Sequence, residues 1–100
     1  MDRVALADAL KDRDKVLKAF VRPDGSLGSI PTRNRKRLVI LDLIAQEFDL
    51  GTVYAETEVN NRLRAFHPDV AALRRYLVEE GFMTREAGDY WRSGGTVSEA

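Results

Sequence analysis

The chain has 100 residues, 44% of them apolar, with 16 Lys+Arg against 16 Asp+Glu and a formal net charge of zero. That is enough chain for one domain, too apolar for a disordered tail and too short for a two-domain enzyme with a cleft between domains. There is no Cys, so disulfides, thiolate nucleophiles and cysteine metal sites are excluded; no window approaches a membrane span, Met1-Asp2-Arg3 opens no signal peptide, and a cytoplasmic protein is expected.

Residues 1–22 predict helix, because Leu6, Leu10, Leu17 and Val21 recur at spacings of four and seven with charges between them. The polar run Lys11-Asp12-Arg13-Asp14 predicts an interruption, with Asp12 or Asp14 capping a second short helix through Phe20. Pro23-Asp24-Gly25 predicts a turn, since Pro presets φ and Gly accepts a positive one. Ser26-Leu27-Gly28-Ser29-Ile30 alternates and predicts a brief strand, ended by Pro31. Leu38 to Ala45 is apolar except for Asp42. With Arg35–Arg37 before it and Gln46-Glu47 after it, the segment exceeds a usual strand, so 33–48 predicts a central helix ended near Gly51.

Thr52-Val53-Tyr54 reads as a short strand or an extended link. In 56–66, Val59, Leu63 and Phe66 fall at i, i+4 and i+7 and make one helical stripe. His67-Pro68-Asp69 then opens a helix over 68–80, with Pro at its first position and Asp in its first turn. Val70, Leu73 and Leu77 form its apolar stripe, and Gly81 stops it. Phe82–Arg85, Glu86–Asp89 and Tyr90–Arg92 predict strand, turn, strand. From Ser93 to Ala100 there is no apolar period. The expected organisation is an N-terminal helical extension over 1–14, a domain over 15–92 and a flexible tail over 93–100.

The expected fold class is therefore mainly α with a small C-terminal β-hairpin, a winged-helix-like α+β single domain. A helix, a short turn, a second helix, then Gly and a two-stranded wing is a recurrent nucleic-acid-binding arrangement, in which helix 68–80 is the candidate recognition helix.

The residues also carry a family resemblance. Val16-Leu17-Lys18-Ala19-Phe20, Ile30-Pro31 with Arg33 and Lys36-Arg37, Tyr54-Ala55-Glu56-Thr57-Glu58-Val59-Asn60, Phe66-His67-Pro68-Asp69, Leu73-Arg74-Arg75 with Leu77-Val78, and Tyr90-Trp91-Arg92 together resemble the uncharacterised bacterial family DUF2087, from about Lys15 to Arg92. The resemblance implies a small helical domain that occurs alone or fused to transcription-regulator and acyltransferase-like modules, with a supposed nucleic-acid-binding role and no established activity. One departure stands out. The family usually has Ser or Thr at the position of Ala55, so the capping box with Glu58 is half missing, a loss of about 1 kcal/mol. Thr57 is the alternative cap, two residues on.

Two basic clusters are the candidate nucleic-acid contacts. Arg33, Arg35, Lys36 and Arg37 place four cations in five positions at the start of the central helix. They read as a phosphate clamp or as a solvated surface, and cations at a helix N-terminus oppose its dipole. Arg74 and Arg75 sit on helix 68–80, flanking its apolar stripe. Their guanidinium forks suit phosphates and base edges and equally suit an internal ion-pair network with Glu56, Glu58 or Asp69. Arg62 and Arg64 belong to the same basic region. Residues 33–76 hold eight basic and six acidic groups, net +2, whereas 77–100 hold two basic and five acidic, net −3. A wing carrying Glu86 and Asp89 is a poor partner for phosphate.

Tyr90 and Trp91 alternate on the last strand and face opposite sides, one toward the core. Tyr54 reads as a core-edge residue with a polar partner for its hydroxyl. His67 is the only histidine and reads as part of a helix start, with no companion ligands for a metal. Asp24-Gly25-Ser26-Leu27-Gly28-Ser29 lacks a P-loop's Gly-Lys-Ser/Thr ending. No Ser/His/Asp set is visible. No enzyme activity, cofactor, metal or membrane partner is expected. The functional expectation is a nucleic-acid-binding or transcription-regulation-associated domain. The alternative is a protein–protein interaction module of the same shape, and a third reading, from the fusions alone, is an enzyme accessory domain. A homodimer is compatible with any of them.

Overall fold

The computed structural model describes residues 1–97. The N-terminal helix divides at the polar run, into α1 (Arg3–Ala9), a 3-10 turn (Leu10–Asp12) and α2 (Arg13–Phe20). Asp2 caps α1, its carboxylate accepting from the Ala5 N–H at 3.0 Å. Asp12 stands at the N-cap of α2 without a capping bond, because its carboxylate is turned to Arg35. Leu6, Ala9 and Val16 are buried where these helices pack on the central one.

The turn at Pro23-Asp24-Gly25 forms. The Asp24 carboxylate accepts from the Ser26 hydroxyl at 2.6 Å and the Ser26 N–H at 2.9 Å. These bonds, the hydroxyl's first, hold its carboxyl below the usual range. The strand expected over 26–30 does not form. The segment makes one isolated bridge, Val21 to Leu27, and the buried Leu27 donates its N–H to the Phe66 carbonyl at 2.7 Å. It is held between the chain at Phe20–Arg22, through one bridge and two backbone bonds, and the loop at Phe66.

The central helix, α3 (Asn34–Ala45), buries Leu38, Val39, Ile40, Leu41, Asp42, Ile44 and Ala45. Past its first turn it is enclosed on nearly all sides, which is why its apolar run is continuous and not striped. Each fully buried Leu, Ile or Val contributes about 1.5–3 kcal/mol. Asp42 is tolerated there because Thr96 supplies two donors, its N–H at 2.7 Å and its hydroxyl at 2.9 Å. Further bonds reach the segment after Ser93. The buried Arg92 donates to the carbonyls of Phe48, Gly94 and Thr96, and Gln46 donates to the Thr96 carbonyl at 3.0 Å. The remainder of the expected tail, 98–100, lies outside the described residues.

After α3 come β1 (Val53–Ala55), α4 (Glu56–Leu63), α5 (Val70–Glu79), β2 (Met83–Glu86) and β3 (Asp89–Arg92). The three strands form an antiparallel sheet in the order β1-β3-β2, with Tyr54 opposite Tyr90 and Arg85 opposite Tyr90. The fold is thus mainly α with a small C-terminal hairpin, to which β1 adds a third strand. The hairpin turn is tighter than expected, only Ala87 and Gly88, both at positive φ (50° and 83°). Glu86 and Asp89 therefore lie in the strands.

One helix start falls where expected and one does not. α4 begins at Glu56 after an Ala55 that makes no side-chain cap. Thr57 does not take over, and Glu56 and Glu58 in the first turn suit the dipole in place of a cap. α5 begins at Val70, two residues past Pro68. Asp69 is its N-cap, accepting from the Ala72 N–H at 3.1 Å, and Asp69 donates its own N–H to His67 Nδ1 at 3.0 Å. Phe48, Phe82, Ile40, Ile44, Leu63 and Leu73 are fully buried where α3, α4, α5 and the sheet meet.

Candidate nucleic-acid interface

The four cations at the start of α3 have three different fates. Arg35 is bound internally. Its guanidinium pairs with Asp8 and, at 3.0 Å, with Asp12, and donates to the Asp8 carbonyl at 2.8 Å. The Asp12 bond leads in raising its pKa above the ordinary arginine value. Arg37 is half-buried. It donates to the carbonyls of Pro31 and Thr32 at 3.3 and 3.0 Å and lies over the Tyr76 ring, 4.3 Å from its centroid. Its buried Nε has no hydrogen-bond partner among the described residues. Arg33 and Lys36 are exposed and make no ion pair among the described residues. The start of α3 is tied to the end of α5 by Asn34 Nδ2, which donates to Glu80 Oε1 at 2.9 Å.

Arg74 and Arg75 leave α5 in different directions, as flanking positions must. Arg74 is 22% exposed; it donates to Asn60 Oδ1, and its Nε stands 3.7 Å from Glu56 Oε1. Arg75 is 61% exposed, with Nε 3.9 Å from Glu79 Oε1 and its guanidinium 5.2 Å from the Tyr76 ring centroid. Tyr76 therefore carries a cation from each cluster, Arg37 and Arg75. Of the expected internal partners, Glu56 takes Arg74, whereas Glu58 pairs with Arg62 at 3.0 Å and Asp69 caps α5. Arg62 also stacks over Tyr54 and Phe48, and the Tyr54 hydroxyl accepts from the Asp49 N–H at 2.8 Å.

Glu56 is the hub of the sheet end. Its carboxylate accepts from the Tyr90 hydroxyl at 2.7 Å. That bond, followed by the charges of Arg74 and Arg85, holds its carboxyl below the usual carboxylate range. Burial first, and then the bond to Glu56, push the Tyr90 phenol up. Tyr90 is the buried member of the Tyr90–Trp91 pair, and Trp91 is half-buried on the opposite face. Beside this hub lies a depression of about 320 Å³, walled by Ala71, Arg74, Arg75, Val78 and Glu79 of α5 and by Arg85 and Tyr90 of the sheet.

Arg85 is the residue that reading along the chain misses. It is distant in sequence from Arg74, and only the hairpin register, which sets Arg85 opposite Tyr90, carries it to α5. The Gly88 turn signal with strict alternation on β2 would have placed it on the Tyr90 side of the sheet. Glu86 and Asp89 are exposed at the hairpin end. Among the described residues, no group of three or more His, Asp or Glu is placed to hold a metal ion, and no helix is long and apolar enough to cross a membrane.

The family model described as "Uncharacterized protein conserved in bacteria (DUF2087)" matches residues 26–92. Neither the curated proteins nor the solved structures offer a match to this chain.

Proposed function

The chain belongs to the DUF2087 family, and from that premise we propose that it is a winged-helix-like nucleic-acid-binding domain associated with transcription regulation. The observation that carries this reading is topological. In the order α3-β1-α4-α5-β2-β3 with sheet order β1-β3-β2, the helix pair α4–α5 is followed directly by a two-stranded hairpin, and this supports the reading. α5 is then the helix that enters a groove, and Arg75 is its outward cation. Arg33 and Lys36 add phosphate neutralisation at the end of α5 that Asn34 ties to α3, whereas Arg37 is held by the Pro31 and Thr32 carbonyls and the Tyr76 ring. Arg35 drops out of the contact set, since two carboxylates already neutralise it.

The test is a salt titration of fluorescence anisotropy on mixed DNA and RNA fragments. With few free cations, the slope of log K against log[salt] is expected at about −3, since each neutralised phosphate contributes about −0.9. No binding at low salt would sink the proposal.

A second reading, a protein-interaction module of the same shape, is favoured by one specific observation. Half of the six candidate cations (Arg35, Arg37 and Arg74) are engaged by the protein's own carboxylates, carbonyls and rings, while the hairpin end is acidic. Binding that survives high salt on a protein partner, with none to nucleic acid, would select it.

A further inference from the structure

The depression between α5 and the hairpin holds more positive charge than the fold consumes. Three guanidinium groups, Arg74, Arg75 and Arg85, line it. They face two carboxylates, and neither contact is close: Arg74 to Glu56 is 3.7 Å and Arg75 to Glu79 is 3.9 Å, whereas charge-assisted N–H···O bonds normally close to about 2.7–2.9 Å. Arg85 makes no ion pair among the described residues and rests 5.9 Å from the Tyr90 ring centroid. The three cations come from two elements, so they surround the space from both sides. Ala71, in its wall, is too small to fill it.

Like charges gathered this way repel, and the protein tempers the repulsion with Glu56. That carboxylate is anchored by the Tyr90 hydroxyl at 2.7 Å and is 40% exposed, so it sits at the rim of the cluster. Glu79 is the other rim carboxylate. It is 58% exposed on a flexible stem and can swing to solvent. A volume of about 320 Å³ is at the small end of ligand sites. It suits one tetrahedral anion with part of a sugar, not a large cofactor. Guanidinium forks bind such oxygens bidentately.

We infer that Arg74, Arg75 and Arg85 form a seat for one backbone phosphate of a nucleic acid, with Glu56 as the resident counter-anion that the phosphate displaces. The inference deepens the nucleic-acid reading and rests on it for the identity of the ligand. It moves the phosphate contact away from the acidic hairpin end and into the groove between helix and hairpin. It also gives Glu56 a role with a sign: it competes with the ligand.

The test uses the full chain with two probes, inorganic phosphate and a DNA duplex. Arginine side-chain Nε–H resonances are followed by NMR during phosphate titration at low ionic strength. Saturable shifts are expected at Arg74, Arg75 and Arg85, with little change at Arg33. Arg85→Ala, an exposed strand position, is expected to weaken phosphate binding about tenfold, the loss of one hydrogen bond to a charged group. Glu56→Gln keeps an acceptor for Tyr90 and is expected to strengthen it severalfold. Glu58→Gln, on the same helix and with the same charge change, is expected to leave it unchanged.

Equal shifts at Arg33 and at the three pocket arginines would overturn the seat, as would Glu58→Gln matching Glu56→Gln. Saturable phosphate binding at the pocket without any duplex binding would uphold the seat and remove the nucleic-acid reading. Duplex binding that Arg85→Ala leaves untouched would keep that reading and remove the seat.

Discussion

The two ends of this small domain treat arginine in opposite ways. At the N-terminal layer, one guanidinium, Arg35, meets two carboxylates and a carbonyl. At the sheet end, Arg74, Arg75 and Arg85 share Glu56 and Glu79 at longer range. The first arrangement is saturated and fastens α1 and the 3-10 turn to α3. The second leaves hydrogen-bonding capacity and one excess positive charge. The ratio of carboxylate to guanidinium, more than the number of cations, separates a fastening from a binding surface.

The strongest way to sharpen that contrast is to remove the packing beneath each end. Leu6→Ala takes a buried side chain from the N-terminal layer, and Leu73→Ala takes one from under the arginine face of α5. Each is expected to cost about 2–5 kcal/mol. The outcomes should differ in extent. Leu73 lies where α3, α4, α5 and the sheet converge, so its loss should lower the urea midpoint of the whole domain. Leu6→Ala should open α1 first, seen as amide exchange rising in residues 3–12 while α5 stays protected. Uniform exchange in both variants would show that the two ends fold as one unit.

A smaller effect isolates the Glu56 hub. Tyr90→Phe removes the hydroxyl that Glu56 accepts from without opening a cavity, and is expected to cost about 0.5–1.5 kcal/mol in urea unfolding. Its counterpart is pH. The Glu56 carboxyl is held low in the folded state, so its contribution is present above the ordinary glutamate range and is lost as pH falls through the lowered value. The Tyr90 phenol is held high, so its contribution is present below the ordinary tyrosine range and is lost as pH rises through the raised value. Melting temperature against pH should therefore fall at both ends. Glu56→Gln should flatten the acid limb, and ultraviolet tyrosinate absorbance should show the Tyr90 phenol moving back toward ordinary tyrosine. An unchanged acid limb would mean that other carboxylates govern it.

Much of the fold was legible because it follows local signals. The break at Lys11–Asp14, the turn at Gly25, the length of α3 and the hairpin each answer to a composition cue. What failed was the short-range geometry of ends. Residues 26–30 alternate like a strand, yet their pairing with the chain at Val21 stops at one bridge, and on the other side Leu27 is claimed by the Phe66 carbonyl. Pro68 could have opened α5, but Asp69 offers an oxygen to Ala72 and takes the cap. The candidate site was legible as a set of residue types and not as a surface. Arg35 and Asp8 are 27 positions apart and meet only because α1 folds back on α3. Arg85 reaches Arg74 only through the hairpin register.

The sharpest discrimination comes from the substitution with the least effect on folding. Arg75 is 61% exposed and its one carboxylate partner among the described residues is 3.9 Å away. Pairs of that kind contribute about 0–1 kcal/mol, so Arg75→Ala should unfold within about 0.5 kcal/mol of the parent chain. Arg35→Ala, in contrast, should lower the melting temperature measurably, since it takes the guanidinium from Asp12 and leaves Asp8 to the exposed Lys11 at 3.5 Å. Binding should reverse this order. Loss of Arg75 should weaken nucleic-acid affinity and make the salt slope shallower by about one unit, whereas a refolded Arg35→Ala should bind as the parent does. If the two variants ranked the same way in both measurements, the distinction between fastening and binding arginines would fail, and Arg75 would belong with Arg35 among the residues that only hold the fold.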